Sequence, residues 1–286
     1  MNHSMISSAV TMRSLQQKLD IMSNNVANFN TAGYKKKTAT FEDVLTNIKQ
    51  QPEGFRKEGR LTPIGLTQSW GARLGQVKID LSSGTLSQSG LSTDLAIDGQ
   101  AVFAVLNPVT DPNGAQAMEE LYTREGSFQL TFRQGDNENA YLATKDGLFV
   151  SGVNGQPITV PAGYDMRVDE QGNVFAYKSS EPETDAIPVG QIKLMQVIRS
   201  NYLEEVGMNR YQVSPDVDRN LVVRDAFAAG ALERGISVKQ GYVEQSNVNL
   251  GDEMVELMMV QRAFQLNSRA IASSDTMMQL ANNLRG

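Results

Sequence analysis

Cysteine is absent from the 286 residues, which removes disulfides, thiolate nucleophiles and cysteine metal sites together. Histidine occurs once, at His3, so imidazole acid–base and histidine-ligand chemistry have almost no material. Trp70 is the single tryptophan. No apolar run approaches the roughly 18 residues of a membrane span, and the start lacks the 7 to 15 residue apolar centre of a cleaved secretory signal. Net charge is −6, with lysine and arginine spread along the chain, so a nucleic-acid partner has no electrostatic footing. GxGxxG, P-loop, HExxH and GxSxG patterns are all missing, and phosphate cradles, zincins and nucleophile elbows go with them. No cofactor, metal or small-molecule substrate is expected.

What the chain does have is two long helical segments, one at each end. A 3.5-residue period from the start places Met1, Met5, Ser8, Met12, Leu15, Leu19, Met22 and Val26 on one seam, apolar except for Ser8. So narrow a stripe calls for a helical partner. The helix should end after Asn24, Asn25 and Asn28, weak helix formers, where Asn30, Thr31 and Gly33 supply turn chemistry. At the far end Leu250, Leu257, Phe264, Ile271 and Met278 recur every seven residues. A second stripe, Met259, Ala263, Leu266, Ala270, Met277, Leu280 and Leu284, faces nearly the opposite way, so the helix can meet two partners. Asn249 or Gly251 stands near its cap, with Glu253 favourably placed in the first turn.

Between the ends the period changes to short β-type runs, such as VKIDL at 77–81, LAIDGQAVFAVL at 95–106, NVFAY at 173–177 and QIKLMQVI at 191–198. Asp98-Gly99, Asn113-Gly114, Asp146-Gly147 and Asn154-Gly155 mark tight turns between such runs. The fold class is α+β: long N- and C-terminal helices pairing as a coiled-coil-like α domain, with a predominantly antiparallel β middle domain. The expected divisions are a helical assembly segment over 1–50, an extended linker over 51–76, a β-rich domain over 77–198, an irregular return over 199–240 and a second helical assembly segment over 241–286. Phe41, Val44, Leu45 and Ile48 have the spacing of a short helix. Pro52, Pro63 and the surrounding glycines mark the linker, with Trp70 as its anchor.

Two stretches carry a resemblance. Asn24-Asn25-Val26-Ala27-Asn28 followed by Asn30-Thr31-Ala32-Gly33-Tyr34-Lys35 resembles the N-terminal signature of the bacterial flagellar rod and hook axial proteins. Gly241 to Leu250 (GYVEQSNVNL), then Glu253-Met254-Val255 and Gln261-Arg262-Ala263-Phe264-Gln265-Leu266-Asn267, is similar to that family's C-terminal signature. LSTDLAIDGQAVFAV, YTREGSF and LATKDGLFVSGVNGQPITVP extend the likeness through the middle, with Ala101-Val102-Phe103 where the family usually has Gly-Phe-Phe.

The resemblance implies a structural subunit of the basal-body rod that self-associates, meets other axial proteins, and leaves the cell through the flagellar type III export apparatus without a cleaved signal. The assembly residues it points to, together with the seams, are Met12, Leu15, Leu19, Met22, Asn24, Asn25, Val26, Ala27, Asn28, Thr31, Gly33, Tyr34 and Lys35 at one end. At the other they are Glu244, Ser246, Asn247, Val248, Met254, Leu257, Gln261, Arg262, Phe264, Asn267, Ile271 and Met278. A hook-type subunit and a secreted coiled-coil binding module are the alternatives within and beyond the family. An enzyme acting on cell-wall glycan would need two carboxylates about 5 to 10 Å apart. Glu119 with Glu120 and Asp169 with Glu170 are the adjacent pairs, and on strands neighbours point to opposite faces. Asp169 to Asn173 resembles a calcium loop superficially but lacks the alternating ligands and closing glutamate, and reads as a hairpin turn. Lys35, Lys36 and Lys37 read as a solvated face.

Overall fold

A computed structural model describes residues 2–43, 46–50, 65–69, 71–110, 116–133, 136–178, 186–228, 231–232 and 235–284. Met1, Val44, Leu45, Pro52, Pro63, Trp70 and the Asn113-Gly114 turn lie outside them. The fold is α+β, and the chain divides into two compact units. One comprises Met1–Ala27, Lys37–Lys78 and Asn249–Gly286; the other comprises Asn28–Lys36 and Ile79–Val248.

The first unit is built on two helices, Asn2–Ala27 (the N-helix) and Leu250–Asn283 (the C-helix). The N-helix runs through Asn24 and Asn25 and ends at Ala27, where Asn28 and the turn residues follow. Asn249 proves to be the cap of the C-helix: its side chain accepts from the Gly251 amide at 3.0 Å, and Asp252 and Glu253 occupy the first turn, favoured by the helix dipole. Lys18 pairs with Glu256 at 2.5 Å, Asn25 donates to Glu253 at 3.1 Å, and Asn267 donates to the Ser8 carbonyl at 2.6 Å. Partner numbers fall on one helix as they rise on the other, so the two run antiparallel. On the C-helix the covered or half-covered positions include Leu250, Glu253, Leu257, Val260, Phe264, Asn267, Ile271, Ser274 and Met278, spaced alternately by three and four. The second stripe stands open, with Met259, Leu266, Met277, Leu280 and Leu284 all exposed.

The segment expected as a short helix after Lys37 is instead two strands, Lys37–Asp43 and Thr46–Gln50. Cross-strand chemistry outweighs the helical spacing there. The Thr38 hydroxyl donates to the Lys78 carbonyl and the Thr40 hydroxyl to that of Gln76, each at 3.2 Å, across the ladder. Those partners lie in the stretch expected as linker: Ala72–Ile79 pairs with Lys37–Asp43, and Gly65–Ser69 pairs with Thr46–Gln50.

Among the described residues the second unit is a ten-stranded antiparallel sheet with smaller sheets attached. Its order runs Thr159–Pro161, Asp136–Thr144, Phe149–Val150, Ala101–Thr110, Gln116–Thr123, Arg210–Val213, Leu203–Gly207; Leu194–Val197 also pairs with Ala101–Thr110. Ala101 and Phe103 enter one hydrophobic cluster with Leu95, Leu142 and Ile192, while Val102 and Ala104 enter another with Tyr122, Met195 and Tyr211. A strand covered on both faces reads as an unbroken apolar run, and AVFAVL is that run. The return segment, expected as irregular, supplies Leu203–Gly207, Arg210–Val213, Val223–Asp225 and Ser237–Gln240 as strands. Asp169 to Asn173 is a hairpin turn between Asp165–Val168 and Asn173–Tyr177, closed by the Asp169 carboxylate accepting from the Gln171 and Asn173 amides at 2.9 Å.

Phe103 meets Phe128 edge to face at 5.1 Å and is fully buried. Phe103→Ala should therefore lower the stability of this unit by about 3 to 5 kcal/mol. Denaturant melts followed by near-ultraviolet dichroism measure it; a loss below about 1 kcal/mol would contradict the core described here.

Candidate functional site

The tail of the N-terminal signature enters the sheet-bearing unit. Thr31 closes a turn on Asn28, its amide on the Asn28 carbonyl and its hydroxyl on the side-chain oxygen, both at 3.1 Å. Gly33 follows with φ of +70°, and a Cβ there would sit 2.5 Å from the Glu125 amide nitrogen. Both conformation and space demand glycine. Its N–H donates to the Glu244 carbonyl at 2.8 Å, and Tyr34 and Lys35 beyond it are fully buried.

Lys35 is thus not part of a solvated face. Its ammonium donates to Glu244 Oε1 at 2.8 Å and to the Ser82 carbonyl at 2.7 Å. Arg124 approaches the same carboxylate from the other side, Nε to Oε2 at 2.5 Å, and donates from its other two nitrogens to the carbonyls of Ala101 and Ile97. The Gly84 amide completes the site, donating to Glu244 Oε1 at 2.7 Å. Strand Tyr242–Glu244 carries the glutamate, paired with Leu86–Gln88. Gly84 permits that approach, since a Cβ there would fall 2.0 Å from the Gln245 carbonyl oxygen. Asn247 ties the same segments by another route: it accepts from the Lys36 amide at 2.8 Å and donates to the carbonyls of Asp80 at 2.9 Å and Ser82 at 3.2 Å.

Two cations share one anion in a place almost closed to solvent. Burial pulls the Lys35 ammonium below the ordinary lysine value, and the neighbouring Arg124 pulls it further; Glu244 works the other way without restoring it. Burial alone would push the Glu244 carboxyl up, but Arg124 first and Lys35 second hold it below the usual carboxylate range.

In the helical unit Asn25 is the corresponding junction. It is buried, donates to the Lys37 carbonyl at 2.9 Å and to Glu253 at 3.1 Å, and accepts from the Lys37 amide at 3.0 Å. Met22 is buried; Met12, Leu15, Leu19, Val26 and Asn28 are half-covered, whereas Asn24 and Ala27 are exposed. Ser246, Val248, Leu257, Phe264, Asn267, Ile271 and Met278 are half-covered, and Met254, Gln261 and Arg262 are exposed. Sequence reasoning did not single out Arg124, Gly84 or the burial of Glu253. Arg124 stood inside YTREGSF, a quoted stretch of likeness, yet nothing in its spacing tells that an arginine one residue past a strand will be enclosed.

Long helices at both ends, an antiparallel sheet between them, and end signatures joined through buried polar junctions are a distinctive combination, and comparison with known proteins gives it a place. The family described as flagella basal body rod protein matches residues 7–35, the flagellar hook protein FlgE/F/G D1 domain matches 96–176, and the flagellar basal body rod FlgEFG protein C-terminal matches 239–284. The flagellar basal-body rod protein FlgG of Buchnera aphidicola subsp. Baizongia pistaciae is 33% identical over 265 residues, covering 92% of each chain. That of Bacillus subtilis is 32% identical over 294 residues, covering 100% of both. The flagellar hook-basal body complex protein FlhP of Bacillus subtilis is 27% identical over 289 residues, again covering 100% of both. The chain belongs to the flagellar basal-body rod protein family.

Glu244 has an acid signature. Because its folded value is lowered, its contribution to stability is complete above the unfolded carboxylate value of about 4.3 and is lost as pH falls through the folded value. Glu244→Gln should flatten the acid limb of the stability profile below about pH 4, read by urea melts at stepped pH. An acid limb of unchanged steepness would contradict the ionised cluster.

Proposed function

We propose that the chain is a structural subunit of the bacterial flagellar basal-body rod, polymerising into a helical tube that transmits torque and carries the export channel. The observation that carries this reading is the two-faced C-helix. One face is covered within the chain, and the other presents Met259, Leu266, Met277, Leu280 and Leu284 to solvent. An exposed apolar stripe along a helix of 34 residues, roughly 51 Å, is long enough to bind neighbouring copies by head-to-tail, non-closing contacts.

The N-helix and C-helix form a coiled-coil-like pair, a reading supported by the alternation of three and four along the covered positions of the C-helix. Other axial proteins extend the tube at its ends, and the subunit reaches it through the flagellar type III export apparatus without a cleaved signal. A chain free of cysteine suits that passage, since nothing in it cross-links.

The work is mechanical, with no catalytic step. Glu119 accepts from Gln212 at 2.6 Å, and Glu120 pairs with Arg219 at 2.6 Å and with Lys193 at 3.0 Å. Carboxylates so engaged are poorly placed to shuttle protons to a glycan. The near-full-length relatives named FlgG are called rod proteins, which favours rod over hook.

Two substitutions separate the faces. Leu266→Asp should change the melting of dilute protein by no more than about 0.5 kcal/mol while abolishing polymer in electron micrographs. Leu257→Asp, on the covered stripe, should abolish polymer and lower helical dichroism, leaving the β transition nearly unchanged. Polymerisation of Leu266→Asp at the parent's level would overturn the proposal.

A further inference from the structure

The cluster around Glu244 joins three stretches distant in sequence, and its charges do not balance: Lys35 and Arg124 share one buried carboxylate. That imbalance makes the order of docking matter. Arg124 keeps the carbonyls of Ile97 and Ala101, which belong to strands near it in the chain, whether or not Glu244 has arrived. Glu244 in turn is served without Lys35, because Arg124 donates to Oε2 and the Gly84 amide donates to Oε1. Lys35 has no such independence. Among the described residues its buried partners are the Ser82 carbonyl and Glu244. The other carboxylate whose field reaches it, Asp80, is exposed and screened by water. If Lys35 were buried before Glu244 was in place, it would face the Arg124 guanidinium with no anion between them, a far worse arrangement than either cation left in solvent.

We propose that the cluster is a sequential latch: strand Tyr242–Glu244 must dock before segment 28–36 can, and undocking runs in the reverse order. The latch makes the N-terminal signature a reporter of the C-terminal one. A chain whose C-terminal strand is out of place cannot seat Gly33, Tyr34 and Lys35, so a half-folded end is rejected at both ends. Two further bonds of the segment need the C-terminal stretch, since Gly33 donates to the Glu244 carbonyl and Lys36 to the Asn247 side chain, whereas the Lys36 carbonyl accepts from the Asp80 amide and the Ala32 carbonyl from Asn209 without it. The inference concerns the chain's own folding and stands apart from the assembly reading.

Native-state hydrogen exchange on the full-length protein, resolved by segment across a denaturant series, tests it. In the unaltered protein the amides of 33–36 should open in a smaller event, at lower denaturant, than those of 242–244. Glu244→Gln should speed exchange in 33–36 by about 100-fold or more, and adding Lys35→Met should restore most of that protection, because the second change removes the cation that lacked its anion. Lys35→Met alone should leave 242–244 protected as in the parent. Opening of 242–244 at or before 33–36 in the unaltered protein would overturn the latch, and so would failure of Lys35→Met to rescue. If Glu244→Gln does not fold, the order of opening in the unaltered protein still decides.

Discussion

One carboxylate, that of Glu244, holds together segments that the sequence keeps more than two hundred residues apart. It accepts from Lys35, Arg124 and the Gly84 amide in a site with almost no exposure. Buried ion pairs seldom add stability over a well-packed apolar core, but breaking one leaves a stranded charge at considerable cost. Such a cluster therefore selects one arrangement of the chain over its alternatives. Here it selects the arrangement in which the residues after the N-helix lie against the strand that comes shortly before the C-helix.

The same division of labour recurs in the helical unit on a smaller scale. Asn25 uses both ends of its amide, accepting from the Lys37 amide and donating to the Lys37 carbonyl and to Glu253. Polar junctions fix register where the two signatures meet, while apolar stripes supply area. The area is deliberately incomplete. A helix with one stripe covered and a second open is poorly suited to life as a monomer and well suited to a lattice, which is why membership in a rod family and the geometry of this helix support each other.

Much of this was legible in the residues. Spacing along 2–27 and 250–283 marked both helices, because a 3.5-residue apolar repeat has few other physical meanings. The apolar run from Ala101 to Leu106 marked a strand, although only the structure shows that both its faces are covered. Lys37 to Gln50 misled, since Phe41 and Ile48 fit a helix while the Thr38 and Thr40 hydroxyls donate to carbonyls across a ladder, and partners 40 and 36 residues away leave no local trace. Lys35 misled more sharply. Three consecutive lysines ordinarily face water, and nothing nearby in sequence announces the carboxylate at position 244 that lets the first of them be buried. Arg124 was invisible as a site residue for the same reason: its role is defined by three acceptors, one of them 120 positions away.

Methionine oxidation measures the open stripe most directly. The open stripe carries Met259 and Met277 at about half exposure, while Met22, Met166 and Met195 are buried and serve as internal controls. In dilute protein Met259 and Met277 should oxidise readily, and in polymerised protein they should be protected to the level of the controls. Equal oxidation of those two in dilute and polymerised protein would mean that the stripe stays in solvent and that assembly uses some other surface.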